Sequence, residues 1–454
     1  MISNRNVLVR ELQIVKKRAK NVQKTGFWEM LLVSFLIVEI FSLSFALALL
    51  TDSVVIRSTG EIVATNKITA RSGSAEDIQA AVDEIMAMGT GGTVYIPEGD
   101  FACNQSSGGA VKINLASLPA GATLNIFGAG GSVNATTQYG DYRMMPATIL
   151  RSNASGVYWS FFYVGGAAGK HIRISGIAFL GVVPNISTDD GQALNLFKVE
   201  NFRIDHCFMD SFNNAAILAH MCKGLIDHCD IDDTFAEHQA VPPDEVPWGY
   251  GIAVAGDSNT GFGGQATWMP LDDILGKWDT GYTYMAGPVY IEDCTFRMCR
   301  HAIASAQYSY FVARHCKFLT PRSSGMQYMD VHGEPFPAGR GLEAYDNEIY
   351  GYTRGFGIRG GGGVVFNNSA PNMPLFMYIH NEGEVPNFQN PNDLWIWNNN
   401  LTGVSDAIWL LGDPLPVAGV DFFHDIVSEG GPTSPAPPRP GYTPYPYPHP
   451  LTIG

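Results

Sequence analysis

The chain is poor in charge. Asp, Glu, Lys and Arg make up 16% of its 454 residues, and 28 Lys and Arg are outnumbered by 43 Asp and Glu. Seven of the cations, Arg5, Arg10, Lys16, Lys17, Arg18, Lys20 and Lys24, stand near the start, which leaves 21 of them against 40 acidic residues beyond residue 50. An acidic surface without basic clusters excludes nucleic acid as a partner, because phosphate binding needs Lys and Arg. It is compatible with divalent cations. Cysteine is scarce as well. The count is seven, an odd number, with no C-x-x-C pair, which argues against a zinc ribbon and favours buried free thiols. Long apolar runs are missing except for one, 30–50, whose 21 residues are enough to cross a bilayer as a helix. The cations ahead of it place the N-terminus in the cytoplasm and the bulk outside. A retained single-span anchor is expected, so the chain is read as a cell-surface or secreted protein with a membrane partner through that helix. A cleaved signal peptide is the competing reading, with Ala46-Leu47-Ala48 as its cleavage site and Glu39 as a costly mid-span charge. Six Asn-x-Ser/Thr sequons, at Asn104, Asn134, Asn153, Asn185, Asn367 and Asn400, permit glycosylation of an exported chain.

Repetition is what the sequence has in plenty. Arg203-Ile204-Asp205-His206-Cys207-Phe208 returns 22 residues later as Leu225-Ile226-Asp227-His228-Cys229-Asp230. The theme recurs as Ile291-Glu292-Asp293-Cys294-Thr295-Phe296, then as Ala313-Arg314-His315-Cys316-Lys317-Phe318. A fixed period of about 20–25 residues signals a solenoid, and the alternation of apolar and polar residues within each copy is strand periodicity. Successive copies then stack about 4.8 Å apart as parallel strands, with the Cys of each copy in an inward ladder. The fold expected is all-β, a parallel β-helix whose side groove suits a polymer. Regular turns span about 165–412.

A second strand type follows each copy: Ala215-Ala216-Ile217-Leu218, Tyr250-Gly251-Ile252-Ala253, His301-Ala302-Ile303-Ala304, Gly355-Phe356-Gly357-Ile358 and Asp406-Ala407-Ile408-Trp409. One helix is clear. Ser74 is its N-cap with Asp77 three residues on, Ile78, Ala81, Val82 and Ile85 form one apolar face, and Gly89 ends it. Laid over the end of a solenoid, it covers unpaired strand edges and open core. The period breaks between Cys229 and Ile291, where 232–249 and 256–287 read as long loops; such loops on a rigid scaffold usually carry function. The Pro- and Tyr-rich C-terminus is extended chain, either a disordered tail or a strip packed along the solenoid. The expected organisation is a basic cytoplasmic segment 1–29, a transmembrane or signal-anchor helix 30–50, the β-helix 51–430 and a C-terminal extension 431–454.

The opening Ile78-Gln79-Ala80-Ala81-Val82-Asp83, followed by Gly91-Gly92-Thr93-Val94-Tyr95-Ile96-Pro97-Glu98-Gly99, resembles the start of the pectate-lyase superfamily of right-handed β-helix proteins. The repeats and the ending Pro440-Gly441-Tyr442-Thr443-Pro444-Tyr445 resemble it too. The resemblance covers roughly residues 55–451. It implies the fold and an extracellular polysaccharide as partner, and leaves activity open, because one fold hosts many chemistries. Thr188-Asp189-Asp190-Gly191 is only superficially like the Asn-Thr-Asp element of polygalacturonases, whose companion elements are absent. A calcium-dependent pectate-lyase pattern is not evident.

Four residues, Arg300, His301, Asp330 and His332, fit no other copy's pattern and fall on consecutive turns. They are the candidate catalytic set: Arg neutralises a substrate carboxylate, His removes a proton beside it, and Asp330 orients a histidine. Polar ladder residues are the alternative. Arg314 is a candidate substrate ligand, yet Arg314-His315 flanks an inward Cys as Asp205-His206 does, which fits a structural series. Trp248, Trp268 and Trp278 in the long loops suit sugar stacking, or packing beneath their own loops. Asp232 and Asp233, with Glu237 and His238 near, are candidate ligands for Ca²⁺ or an acid–base pair, or simply solvated loop charge. The function expected is an extracellular, membrane-anchored lyase, epimerase or hydrolase on acidic glycans; the alternative is a non-catalytic surface protein that binds glycan.

Overall fold

The computed structural model describes residues 54–56, 62–64 and 66–452, apart from 104–108, 138–139, 153–159, 167–168, 182–190, 213, 233–248, 257–269, 279–287, 320–325, 334–337, 352–353 and 383–389. The apolar run 30–50 lies outside these residues. Among the described residues no helix is long and apolar enough to cross a membrane. The chain divides at Asn66. In the first unit, Val54–Ile56 pairs antiparallel with Ile62–Ala64.

The second unit, Lys67–Gly454, is a parallel β-helix. A complete turn of chain gives one strand to each of three sheets. Thus His171–Ser175 lies in sheet I, Ile177–Leu180 in sheet II, Gln192–Phe197 in sheet III, and Glu200–Asp205 returns to sheet I. Among the described residues sheet I holds twelve strands, from Lys67–Thr69 to Phe422–His424, sheet II eight and sheet III ten. Apolar residues in register fill the lumen. One such column runs Ile174, Ile204, Ile226, Ile291, Ala313, Ala344, Val365 and Ile396, all buried. Parallel sheets need this burial, since their inner face meets only other strands.

The corner after sheet I explains the repeated Cys. Cys207, Cys229, Cys294 and Cys316 are buried and unoxidised. All four thiols donate to the carbonyl one turn back, Cys207 to Ile174 at 3.9 Å, Cys229 to Ile204 at 3.7 Å, Cys294 to Ile226 at 3.7 Å and Cys316 to Ile291 at 3.4 Å. Asparagine then takes over the column. The side-chain amides of Asn347, Asn368 and Asn399 donate to Ala313, Ala344 and Val365 at 2.9, 3.0 and 3.0 Å. The residue before each ladder member bends the chain through the left-handed region. His206, His228, Asp293, His315, Asp346, Asn367 and Asn398 all have φ between 51 and 56°, a conformation that Asn, Asp and His tolerate better than most residues.

The expected helix forms at Ala75–Ala87, with the Ser74 side chain accepting from the Asp77 amide at 3.2 Å. The Asp77 side chain makes no return bond to Ser74; its Oδ2 accepts from the Ser72 hydroxyl at 2.6 Å. Ile78, Ala81, Val82 and Ile85 join the lumen core, and the helix touches the first strands of sheets I and III.

A second apolar layer lies outside the lumen. Leu225, Tyr290, Tyr310, Tyr345, Phe366 and Trp395 on the outer face of sheet I are covered by Leu271, Ile274, Trp278, Tyr442 and Tyr445. The C-terminal segment is therefore a packed strip. Its backbone carbonyls also take donors from the sheet: Arg314 reaches Tyr445 and Pro446 at 2.5 and 2.8 Å, and Arg203 reaches Leu451 and Thr452 at 3.2 and 3.3 Å.

Candidate functional site

Sheet III presents a different outer face. Strand registers place Tyr250, His301, Gln327 and Arg354 in one column. Ala253, Ala304, Asp330, Gly357 and Tyr378 form the next. One residue past the paired core positions, His332 stands beside Arg359, whose backbone N–H meets the Val331 carbonyl at 2.9 Å. Three of the four expected catalytic residues, His301, Asp330 and His332, thus share neighbouring strands of one face, and Arg300 precedes His301 at its edge.

His301 is 4% exposed, and its Nδ1 lies 2.8 Å from the Gln327 carbonyl oxygen. A carbonyl only accepts, so the proton sits on Nδ1 and the lone pair on Nε2. Burial pushes this imidazole down to about 4, against the pull of Asp330 and with help from Arg300 and Arg359. It is neutral near pH 7. His332 is half-buried, and its Nδ1 lies 2.8 Å from the Gly333 carbonyl. The carbonyl accepts, so this Nδ1 also carries a hydrogen.

Asp330 is fully buried. Its Oδ1 accepts from Gln327 Nε2 at 2.6 Å and Arg359 Nε at 3.0 Å, and its Oδ2 accepts from Arg359 Nη2 at 2.5 Å. Burial alone would raise its pKa; the Arg359 guanidinium, with His301, overrides that and holds the carboxyl well below its ordinary value. Asp330 is a fixed anion. Arg359 also donates to Glu382 Oε1 at 3.0 Å, and His380 Nδ1 lies 3.4 Å from the same oxygen. Glu382 Oε2 is buried and has no hydrogen-bond partner. Gln327 donates a second time, to the Tyr378 hydroxyl at 2.9 Å. Gly357 makes that approach possible, because a Cβ there would stand 2.8 Å from both Gln327 Nε2 and the Tyr378 ring.

Beside this polar cluster lies a cavity of about 130 Å³ with Ala253, Ala255, Ala304 and Ala306 as its floor, bounded by Tyr250 and His332. Small side chains on consecutive strands leave a shallow trough, bordered by the His332 imidazole and the Tyr250 ring.

The other expected site residues fall elsewhere. Arg314 is fully buried on the outer face of sheet I. Its Nε donates to Glu292 at 2.9 Å and its Nη1 to the Tyr345 hydroxyl at 2.8 Å, while the C-terminal strip lies over it. Trp278 packs in that same layer, its ring 4.4 Å from the His449 ring and under Lys223 at 4.7 Å. Asp232 is buried and pairs with Arg143 at 3.4 Å. Asp233, Trp248 and Trp268 lie outside the described residues. Among the described residues no three His, Cys, Asp or Glu converge to hold a metal ion.

Gln327, Arg359, Tyr378, His380 and Glu382 complete the cluster and were not singled out from the sequence. The signal was available. Aligning the second strand type on Ile303, Met329, Phe356 and Met377 puts His332, Arg359 and His380 three residues on in each of the last three copies.

No protein-family model matches the chain, and no curated protein matches it. Among solved structures it is similar to ORF18 of Geobacillus virus E2, at 11% identity and a TM-score of 0.40, over 82% of this chain and 67% of that one. It is also similar to the tailspike protein of E. coli bacteriophage HK620 in complex with a pentasaccharide, at 13% identity and a TM-score of 0.45. That match covers 78% of this chain and 58% of the tailspike.

Proposed function

We propose that the chain is an extracellular protein that acts on an acidic polysaccharide along the outer face of sheet III. On this reading it is a right-handed β-helix, the hand that nearly all parallel crossovers take. The helix at Ala75–Ala87 closes the N-terminal end of the solenoid, and segment 30–50 holds the protein at the membrane. The observation that carries the functional reading is His332, whose Nδ1–H is fixed to the Gly333 carbonyl, facing the alanine-floored trough beside the Asp330–Arg359 pair.

The geometry favours proton abstraction over two-carboxylate hydrolysis. A general acid must exchange its proton near neutral pH, and Asp330 is buried and held ionised. His332 Nε2 would take the proton next to a sugar carboxylate. In a lyase the electron pair then expels the glycosidic oxygen, which takes a proton from water or from the His332 imidazolium; in an epimerase water delivers a proton to the opposite face and the imidazolium returns its own to solvent. The Arg300 charge at the edge of the face neutralises the sugar carboxylate, and Tyr250 offers a ring to a sugar face. Changing His332 to Gln should abolish the ultraviolet absorbance of an unsaturated sugar product, or solvent-proton exchange at the sugar, on acidic glycans. Turnover that survives this change removes His332 from the chemistry. A non-catalytic glycan-binding protein is the second reading, favoured by how fully Asp330, Arg359, Gln327 and Tyr378 satisfy one another. Glycan binding without turnover by the unaltered protein would select it. The membrane anchor is tested by protease added to sealed vesicles whose cytoplasmic face is outward: the β-helix should stay protected, and its digestion refutes export.

A further inference from the structure

The outer face of sheet III continues past the trough, and its last strands carry groups that the proposed chemistry does not use. Register puts Ala304, Asp330, Gly357, Tyr378 and Trp409 in one column. Neighbouring strands lie about 4.8 Å apart, so Trp409 stands four strands, or about 19 Å, beyond the trough floor at Ala304. Its strand, Asp406–Gly412, ends the sheet. Trp409 and Leu411 on that strand are 44% and 39% exposed. Tryptophan is highly buried on average, so an indole left open on this face is informative.

A cation stands beside it. Arg354 begins the strand Arg354–Ile358. Its guanidinium lies 5.2 Å from the centre of the Tyr378 ring and 5.6 Å from that of the Trp409 ring. Contact with ring faces favours the charge but occupies none of its N–H donors, and that planar fork matches a carboxylate. Arg359 spends its fork on Asp330 and Glu382. Among the described residues Arg354 pairs with no carboxylate; Asp406 stands two strands away in the same column and makes no ion pair with it. The rings beneath the cation are anchored. Tyr378 is 6% exposed, and its hydroxyl accepts from Gln327, the residue that also holds Asp330. One glutamine thus joins this aromatic platform to the polar cluster at the trough.

We propose that Trp409 and Arg354 form a second sugar subsite, which takes an acidic residue of a polysaccharide whose chain also lies in the trough. The inference rests on the reading of sheet III as the glycan face. The apolar C–H face of the sugar packs on the indole, and its carboxylate accepts from the Arg354 fork. The two places share a column that crosses the strands, so the polymer runs along the solenoid axis. A long oligosaccharide spans both places, and a disaccharide occupies one at a time. Occupying both at once is what gives the longer chain its greater affinity.

The test uses the full-length chain and calorimetry with disaccharides and octasaccharides of galacturonate, alginate and hyaluronan. The octasaccharide of at least one of these should bind, more tightly than its disaccharide. Trp409→Ala and Arg354→Gln should each weaken octasaccharide binding at least tenfold, with the melting temperature unchanged, and Trp409→Phe should restore most of it. Arg354→Gln should also flatten the fall of affinity with salt, because it removes the charge that salt screens. Octasaccharide binding equal to that of the unaltered chain in both variants, with turnover still lost in His332→Gln, overturns the subsite and leaves the trough in place. Turnover that survives His332→Gln while Trp409→Ala loses binding removes the trough chemistry and supports the subsite. Binding of none of the three glycans by the unaltered chain overturns the subsite. So does a concentration-dependent dimer that Trp409→Ala abolishes while glycan binding stays intact, since the open indole then serves a second copy of the chain.

Discussion

At the scale of single residues, the corner column shows how one backbone task is met by different chemistry. Cys207 to Cys316 meet it with a thiol, and Asn347 to Asn399 with an amide that makes shorter bonds. The amide links are the costlier ones to break. Asn347 accepts from the Cys316 N–H at 2.9 Å and donates to the Ala313 carbonyl at 2.9 Å. Asn347→Ala leaves both buried groups unpaired and should cost about 2–4 kcal/mol in denaturant unfolding, since each unsatisfied group costs about 1–3 kcal/mol. The thiols make a second prediction. Burial pushes Cys103 and Cys222 up to about 12, and Cys207, Cys229 and Cys294 well above the ordinary value. Thiolate is the reactive form, so a thiol reagent at mildly alkaline pH should label none of these five in the native protein. All should label after unfolding; rapid native labelling of any of them would place it at the surface.

At the scale of elements, the C-terminal strip and sheet I are held together by buried charge. Arg314 is paired with Glu292, and Glu343 accepts from Tyr310, from the Tyr442 hydroxyl at 2.5 Å and from the Gly276 amide at 2.6 Å. Removing one partner of such a pair strands the other, at about 3–5 kcal/mol. Arg314→Ala should therefore lower stability by that order in denaturant unfolding. Removing 439–454 should lower the melting temperature and let a hydrophobic dye bind the uncovered Tyr290, Tyr345 and Phe366. Sheet I was legible in the sequence, because two of its copies carry the same Ile-Asp-His-Cys word and two more share the Cys, a column that fixes register by itself. The sheet III site was only half legible. His301, Asp330 and His332 stood out because they broke the pattern, but their partners Arg359 and Glu382 sit 29 and 52 residues from Asp330 in sequence, joined only by stacking. Arg314 and Trp278 looked available for a ligand because the sequence does not reveal what covers a sheet's outer face. Here the last residues of the chain do.

At the scale of the whole molecule, buried histidines make stability depend on pH. His449 is fully buried, and burial, with Arg314, Arg203 and Lys223 adding, pushes it down to about 3. His301 is at about 4. The unfolded chain takes up protons at these residues near pH 6.5 while the fold refuses them. Stability from them is therefore intact above about pH 6.5 and falls as the pH drops toward about 4, by up to about 1.4 kcal/mol per unit for each. Burial raises Glu292 and Glu343, which has the opposite sign in acid, so the difference between proteins isolates the histidine. Across that window, stability of the His449→Gln protein should fall less steeply than that of the unaltered chain; parallel slopes would show that His449 titrates normally. The strip that holds His449 has a consequence in time as well as in space. A solenoid can lay down its turns in the order the chain emerges, each turn resting on the one before. Sheet I cannot be finished that way, because Arg203, Glu292, Arg314 and Glu343 all wait for partners among the final residues. Until those arrive, the growing coil carries an open row of tyrosines along one side, and its maturation is a single late event that seals many turns together.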